Sequence, residues 1–190
     1  MEKAEYLDVE ILRERTEKLK KQYSTIETGI YINGEIMGFE RIKVLDSLSA
    51  MTPKEEFALM SEDLARIKYP HTFRPACIFS NQDLTICLTF NKLPTRPYEL
   101  TLKQATENMK ETLENEKGVF NLGEVESLNN IEGHYFEFNQ KVIDGELHHM
   151  MANIKLNENI YQLTFNCLSS QTEWKRAVIP IWESVEHITN

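Results

Sequence analysis

The run from Gly118 to Leu168 constrains this chain most, because it reads as four consecutive antiparallel strands. Within it, Val142-Ile143-Asp144-Gly145-Glu146-Leu147 sets Asp-Gly between two alternating segments. Asp-Gly suits a two-residue type I′ turn, where both central residues need positive φ. A turn at Asp144-Gly145 predicts Val142 opposite Leu147, Phe138 opposite Met151 and Phe136 opposite Asn153. A second turn, at Glu158-Asn159, predicts Leu156 opposite Tyr161, Ile154 opposite Leu163, Ala152 opposite Phe165 and Met150 opposite Cys167. One face of this meander is then continuously apolar. The other carries Phe136, Phe138, Val142, Leu147 and Met151 at one end, and Asn153, Lys155, Gln162, Thr164 and Asn166 at the other. A sheet with one covered and one half-covered face requires helices on both sides, or a helix on one side and a ligand or partner on the other.

Upstream, residues 3 to 23 are charged and carry Val9, Leu12, Thr16, Leu19 and Tyr23 as a narrow helical stripe, expected to pack on its own domain or to form a homodimer clasp. Asn33-Gly34 marks a second two-residue hairpin, between strands at 26 to 32 and 35 to 44. Thr52-Pro53-Lys54-Glu55 reads as a capping box opening a helix whose inner face is Phe57, Met60, Leu64 and Ile67. Lys68 to Pro75 is an extended linker, since each proline excludes the helical region for the residue before it. A hairpin follows, with Ile78, Leu84, Ile86, Leu88 and Phe90 on one face and Thr85, Cys87 and Thr89 on the other; a short loop would set Cys77 opposite Cys87. Thr101-Leu102-Lys103-Gln104 is another capping box, starting a helix with Leu102, Ala105, Met109 and Leu113 inward and ending at Gly118. Ser170-Gln171-Thr172-Glu173 starts a last helix bearing Trp174, Ala177, Val178, Ile181, Val185 and Ile188, with a kink at Arg176 to Ala177 because Pro180 lies inside it.

At 190 residues, residues 25–190 are expected to form one α+β domain preceded by an amphipathic helix at 1–24. A hydrophobic content of 41% with 27% charged residues is that of a globular chain, and no apolar run is long enough to span a bilayer. The residues after Met1 lack a basic, then apolar, leader, so a cytoplasmic location is expected. A net charge of −9 disfavours binding to a phosphate backbone, and nucleic acid is not an expected partner. Seven glycines without a phosphate-cradling cluster exclude the common nucleotide-binding motifs, and no cofactor is expected. Cys77 and Cys87 are expected to be reduced and partly buried, with a disulfide between them as the alternative, and Cys167 to be buried and structural.

His148 and His149 are adjacent on a strand and so point to opposite faces, which prevents joint binding of one metal ion. His71 and His187 read as surface residues. Glu137, between Phe136 and Phe138, is the mildest of candidates for a perturbed acid. Arg74 and Arg96, each before a proline, are candidates for holding an anion or partner carboxylate, or for a structural ion pair. No catalytic constellation or metal set emerges. The candidate binding residues are Phe136, Phe138, His149, Met151 and Arg74, on a partly uncovered sheet face able to take a partner helix or strand. In the alternative, the same face holds a small-molecule pocket rimmed by His149, Gln140, Tyr161 and Arg74.

The element order, hairpin, helix, hairpin, helix, four-stranded meander and C-terminal helix with tryptophans, resembles the α/β/α sandwich shared by the PsbP proteins of photosystem II and the Mog family of Ran-binding proteins. Bacterial relatives of that fold occur among lipoproteins and secretion chaperones. The resemblance spans about Thr25 to Thr189 and rests on topology. It implies an antiparallel sheet of about six to eight strands flanked by helices, and a bacterial non-enzymatic adaptor, chaperone or assembly factor with a protein partner.

Overall fold

A computed structural model describes residues 2–54, 57–70, 74–94, 100–143 and 145–188, with side chains from residue 8 onward. The chain opens with α1 (Glu2–Gln22), followed by β1 (Ser24–Thr25), β2 (Gly29–Ile32) and β3 (Glu35–Met37), which form a small sheet. Next come β4 (Phe39–Leu45) and β5 (Leu48–Pro53), then β6 (Phe57–Leu59), α2 (Glu62–Lys68), β7 (Cys77–Asn81) and β8 (Ile86–Lys92). After α3 (Leu102–Glu114) come β9 (Val119–Phe120), β10 (Glu126–Ser127), β11 (Gly133–Val142), β12 (Gly145–Leu156) and β13 (Asn159–Leu168). A 3₁₀ segment (Ser169–Trp174), α4 (Lys175–Glu183) and β14 (Glu186–His187) complete the order.

The main sheet is antiparallel and eight-stranded, in the order β10-β11-β12-β13-β8-β7-β6 with β9 also on β11. The expected meander is present, with its first member broken into the short β9 and β10, both paired to β11. Its first face is the core. Met150, Ala152, Ile154, Tyr161, Leu163, Phe165, Leu88 and Phe90 are all buried against Trp174, Ala177, Val178, Ile181 and Trp182 and against Ile30, Leu48 and Ala50 of the small sheets. The second face is covered by α2 on one flank and α3 on the other, which gives helices on both sides.

Both meander hairpins close two residues away from the expected register. Val142 pairs Gly145, with Asp144 outside the described residues, and Phe138 lies opposite His149 and Phe136 opposite Met151. Leu156 pairs Asn159, so Ile154 meets Tyr161, Ala152 meets Leu163 and Met150 meets Phe165. In the second turn Asn157 takes φ 54°, a conformation Asn tolerates better than the Glu158 that the expected turn would have placed there. In the first, the observed register stacks Phe138 on His149 with ring centroids 4.7 Å apart, a contact the Asp144-Gly145 turn would have lost. A shift of two keeps every side chain on its face, so the division into two faces survives the error.

Other elements depart further. The helix expected from Thr52 is absent: Thr52 and Pro53 are buried at the end of β5, paired with Glu40 and Phe39, and Glu55 lies outside the described residues. Proline tolerates a strand end because it lacks only a donor. Helix α2 begins later, capped by Ser61, and Ile67 points to solvent. In the β7–β8 hairpin, Cys77 pairs Phe90 and Cys87 pairs Ser80, so the two thiols lie on opposite faces; all three cysteines are free and buried. Leu84 leaves the strand at φ 58° and packs with Ile78 and Cys87 beneath α2. Helix α4 runs through Pro180, and the break sits earlier, at Gln171. Its helical run stops at Glu183, so Val185 and Ile188 follow it and Glu186–His187 pair with β5. His187 is half-buried there rather than exposed, and His71 lies outside the described residues. Asn33-Gly34 forms its hairpin turn as expected, with φ 49° and 94° and Ile32 paired to Glu35.

Helix α1 packs on the rest only at its C-terminal end. Lys20 Nζ meets Glu173 at 2.8 Å, and Arg176 donates to the Lys20 and Tyr31 carbonyls at 2.9 Å each. A guanidinium on the last carbonyls of a helix satisfies acceptors the helix cannot, and it complements the dipole. From Asp8 to Lys18 only Thr16 is even partly buried, so the stripe splits: Thr16, Leu19 and Tyr23 are half-buried, while Val9 and Leu12 stand in solvent.

Candidate functional site

On the second face, side chains run in rows across the strands. One row is Phe138, His149, Asn166, Cys87 and Ser80; the next is Phe136, Met151, Thr164, Thr89 and Ile78; the third is His134, Asn153, Gln162 and Asn91. Helix α3 lies over the β11–β12 side of these rows. Its start is set by the expected capping box: Thr101 Oγ1 accepts from Gln104 N at 3.2 Å, and Gln104 Oε1 accepts from Thr101 N at 2.9 Å. Removing that hydroxyl with Thr101→Ala is expected to cost about 1 kcal/mol of unfolding free energy in urea titration, with the folded spectrum intact.

The structure brings Phe136, Phe138, His149 and Met151 together but does not leave them open. Phe136 and Phe138 are 0% and 4% exposed, and their rings stack at 6.1 Å. His149 and Met151 are half-buried. The expected docking patch is therefore core, and its roof is α3 rather than either terminal helix. Arg74 belongs elsewhere, immediately before β7 and three strands from β12; its Nε is buried without a hydrogen-bond partner among the described residues. Arg96 lies outside the described residues. Tyr161, expected at the rim, is fully buried on the opposite face beside Ile154, while Gln140 is opposite Leu147 near the hairpin end.

Two titratable groups here, His149 and Tyr69, are held neutral. Burial, reinforced by the neighbouring His148, pushes the His149 imidazole down to about 4. Burial raises the Tyr69 hydroxyl, which lies near Cys87 and Asn166. Both Tyr69 Oη and His149 Nε2 are buried without a hydrogen-bond partner among the described residues. On the first face His148 takes a different set: Nδ1 is 2.8 Å from Asn139 Oδ1, and Nε2 is 3.5 Å from Glu137, whose carboxylate is paired with Lys175. Cys167 lies opposite His148 in the next strand, but it is fully buried and its thiol is pushed up to about 12 by that burial. An inert thiol beside a neutral imidazole is not an activated nucleophile. Glu137 is ion-paired, not an acid in an apolar pocket.

Beside the roofed rows a cavity of about 340 Å³ opens between α3 and the sheet. Its walls are mostly apolar, from Leu93, Pro94 and Leu100 of the connection before α3, Leu102 and Met109 of α3, and Ile160 of β13, with Asn108 and Glu158 as polar members. Asn153 and Gln162, directly opposite each other on β12 and β13, form its polar floor. Asn153 is 3% exposed. Its orientation follows from Thr106: that hydroxyl donates its one hydrogen to Leu102 O at 2.9 Å, so toward Asn153 it can only accept, and Asn153 Nδ2 donates to it at 3.1 Å. Asn153 Oδ1 is left buried with no donor among the described residues. Gln162 Nε2 contacts only the soft Met109 Sδ, at 3.0 Å. The sequence signal for this site was the polar end of the second face, which by itself pointed to exposure; Thr106 carried no signal.

No family model and no curated protein matches the chain. Among solved structures it is similar to cyanobacterial PsbP (CyanoP) from Synechocystis sp. PCC 6803, with 10% identity over 85% of this chain and 99% of that one and a TM-score of 0.53. It is also similar to LpqN of Mycobacterium tuberculosis, described as involved in cell envelope biogenesis, with 13% identity over 88% and 99% of the two chains and a TM-score of 0.45. A Pseudomonas aeruginosa protein described as a putative regulator matches with 8% identity over 74% and 94% and a TM-score of 0.41. The CyanoP match, nearly complete for that chain, shows that this chain has a PsbP-like α+β fold.

Proposed function

We propose that this chain is a non-catalytic binding module whose ligand site is the cavity between α3 and the sheet. The observation that carries the reading is Asn153, a side chain lining a mostly apolar cavity whose buried Oδ1 has no donor among the described residues. A buried, unsatisfied polar atom costs free energy, and a ligand that supplies its missing hydrogen recovers it. The ligand is therefore an apolar molecule bearing one N–H or O–H donor. At about 340 Å³ the cavity is at the small end for such sites, which run roughly 300–1,000 Å³. The neutral His149 and buried Cys167 fit binding without chemistry.

Indole and 1-methylindole differ by that one donor and serve as probes in calorimetry or ligand-detected NMR. Indole is expected to bind the intact chain about tenfold more tightly than 1-methylindole, as an unmatched buried acceptor predicts. In Asn153→Leu the preference is expected to vanish while the domain stays folded. Absence of binding by either probe, or an equal preference in both proteins, would sink the cavity as the site.

A further inference from the structure

We propose that α1 pairs antiparallel with α1 of a second copy of this chain. The helix is 21 residues long, and its ties to the rest of the molecule sit at its C-terminal end, through Lys20, Tyr23 and Arg176. A helix standing in water over several turns is marginal without tertiary packing. Val9 and Leu12, with Thr16, fall on one side of it, and both apolar residues are largely exposed at 62% and 61%. Val9 and Leu12 are thus an exposed apolar pair without a partner among the described residues.

Charge selects the occupant and its direction. Residues 2–11 carry Glu2, Glu5, Asp8 and Glu10 against Lys3; residues 12–22 carry Arg13, Arg15, Lys18, Lys20 and Lys21 against Glu14 and Glu17. The halves have net charges of −3 and +3 from those residues. Two copies laid parallel would set acid on acid and base on base. Laid antiparallel, each acidic half lies along a basic half, and the Val9–Leu12 strips meet near the middle. A two-fold axis through that middle makes the contact self-complementary, and flanking charges set the orientation of paired helices. The strip is narrow, so the charges contribute a large share and the pairing weakens with salt.

Sedimentation of the full chain tests the pairing. A monomer–dimer equilibrium is expected at low salt, about 0.05 M, and dissociation at about 0.5 M. Asp8→Lys/Glu10→Lys is expected to weaken self-association by about tenfold or more, as is Arg13→Glu/Arg15→Glu/Lys18→Glu, and mixing the two variants restores association. These side chains lie on the exposed part of α1, so circular dichroism should match wild type. Direction is read from spin labels on Glu2→Cys: about 30 Å apart in the antiparallel pair, but about 10 Å apart if the helices run side by side in parallel. A chain that stays monomeric at low salt, a dimer indifferent to the charge reversals, or closely spaced labels would each overturn the proposal.

Discussion

Phe138→Asp is expected to unfold the domain, not to leave a folded protein with an altered surface. Phe138 is 4% exposed, stacked on His149 at 4.7 Å and on Phe136 at 6.1 Å, under α3. A carboxylate placed there meets only the buried His149, which burial keeps from charging, and a buried charge without an established partner costs several kcal/mol, a large part of a domain's net stability. The milder Phe136→Ala, at a fully buried position, should cost about 3–5 kcal/mol through lost apolar burial and the cavity it leaves. Urea unfolding followed by circular dichroism measures both. If Phe138→Asp keeps the wild-type midpoint, α3 does not roof this face and the open docking patch anticipated around Phe136, Phe138 and Met151 becomes the better description.

Acid is expected to destabilise the protein below neutrality through His149. Its folded-state pKa is held at about 4 by burial and by His148, whereas a free imidazole titrates at 6.5. Between those values the unfolded chain binds a proton that the folded chain does not, so stability is full above pH 6.5 and falls as the pH drops toward 4. The complete loss is on the order of 3 kcal/mol. His148 adds in the same direction, since burial and Lys175 lower its pKa and Glu137 offsets that only in part. His149→Phe keeps the stack on Phe138 and removes the titration. Its unfolding free energy is therefore expected to fall less than that of wild type between pH 7 and pH 4.5, the difference isolating His149 from carboxylates that protonate in the same range. Parallel curves for the two proteins would show that the imidazole is solvated in the folded state.

The places where sequence and structure disagree have a common form. At Thr52-Pro53 a helix-capping pattern lost to strand pairing with Glu40 and Phe39, because local start signals amount to about 1 kcal/mol each and a buried ladder outweighs them. At Asp144-Gly145 favourable turn chemistry lost to the Phe138–His149 stack. Where no tertiary contact competed, local chemistry held: Asn33-Gly34 turns as its residues demand, and Thr101 with Gln104 caps α3 as written.

Alternation along 133 to 168 was enough, by itself, to divide the side chains of the meander between two faces, since the strand period of two makes that division insensitive to a register error of two. The same pattern, with its flanking helices, carried the α+β class. Which helix lies on which face was not contained in any local pattern, because the apolar stripes of α3 and of the C-terminal helix are equally suited to cover a sheet. That choice, made only by the packed whole, buries Phe136 and Phe138 beneath α3 and leaves Val9 and Leu12 of α1 in solvent. It also sets Thr106 against Asn153, residues 47 apart in sequence, so that one hydroxyl's single hydrogen decides which amide oxygen is left without a donor in the cavity.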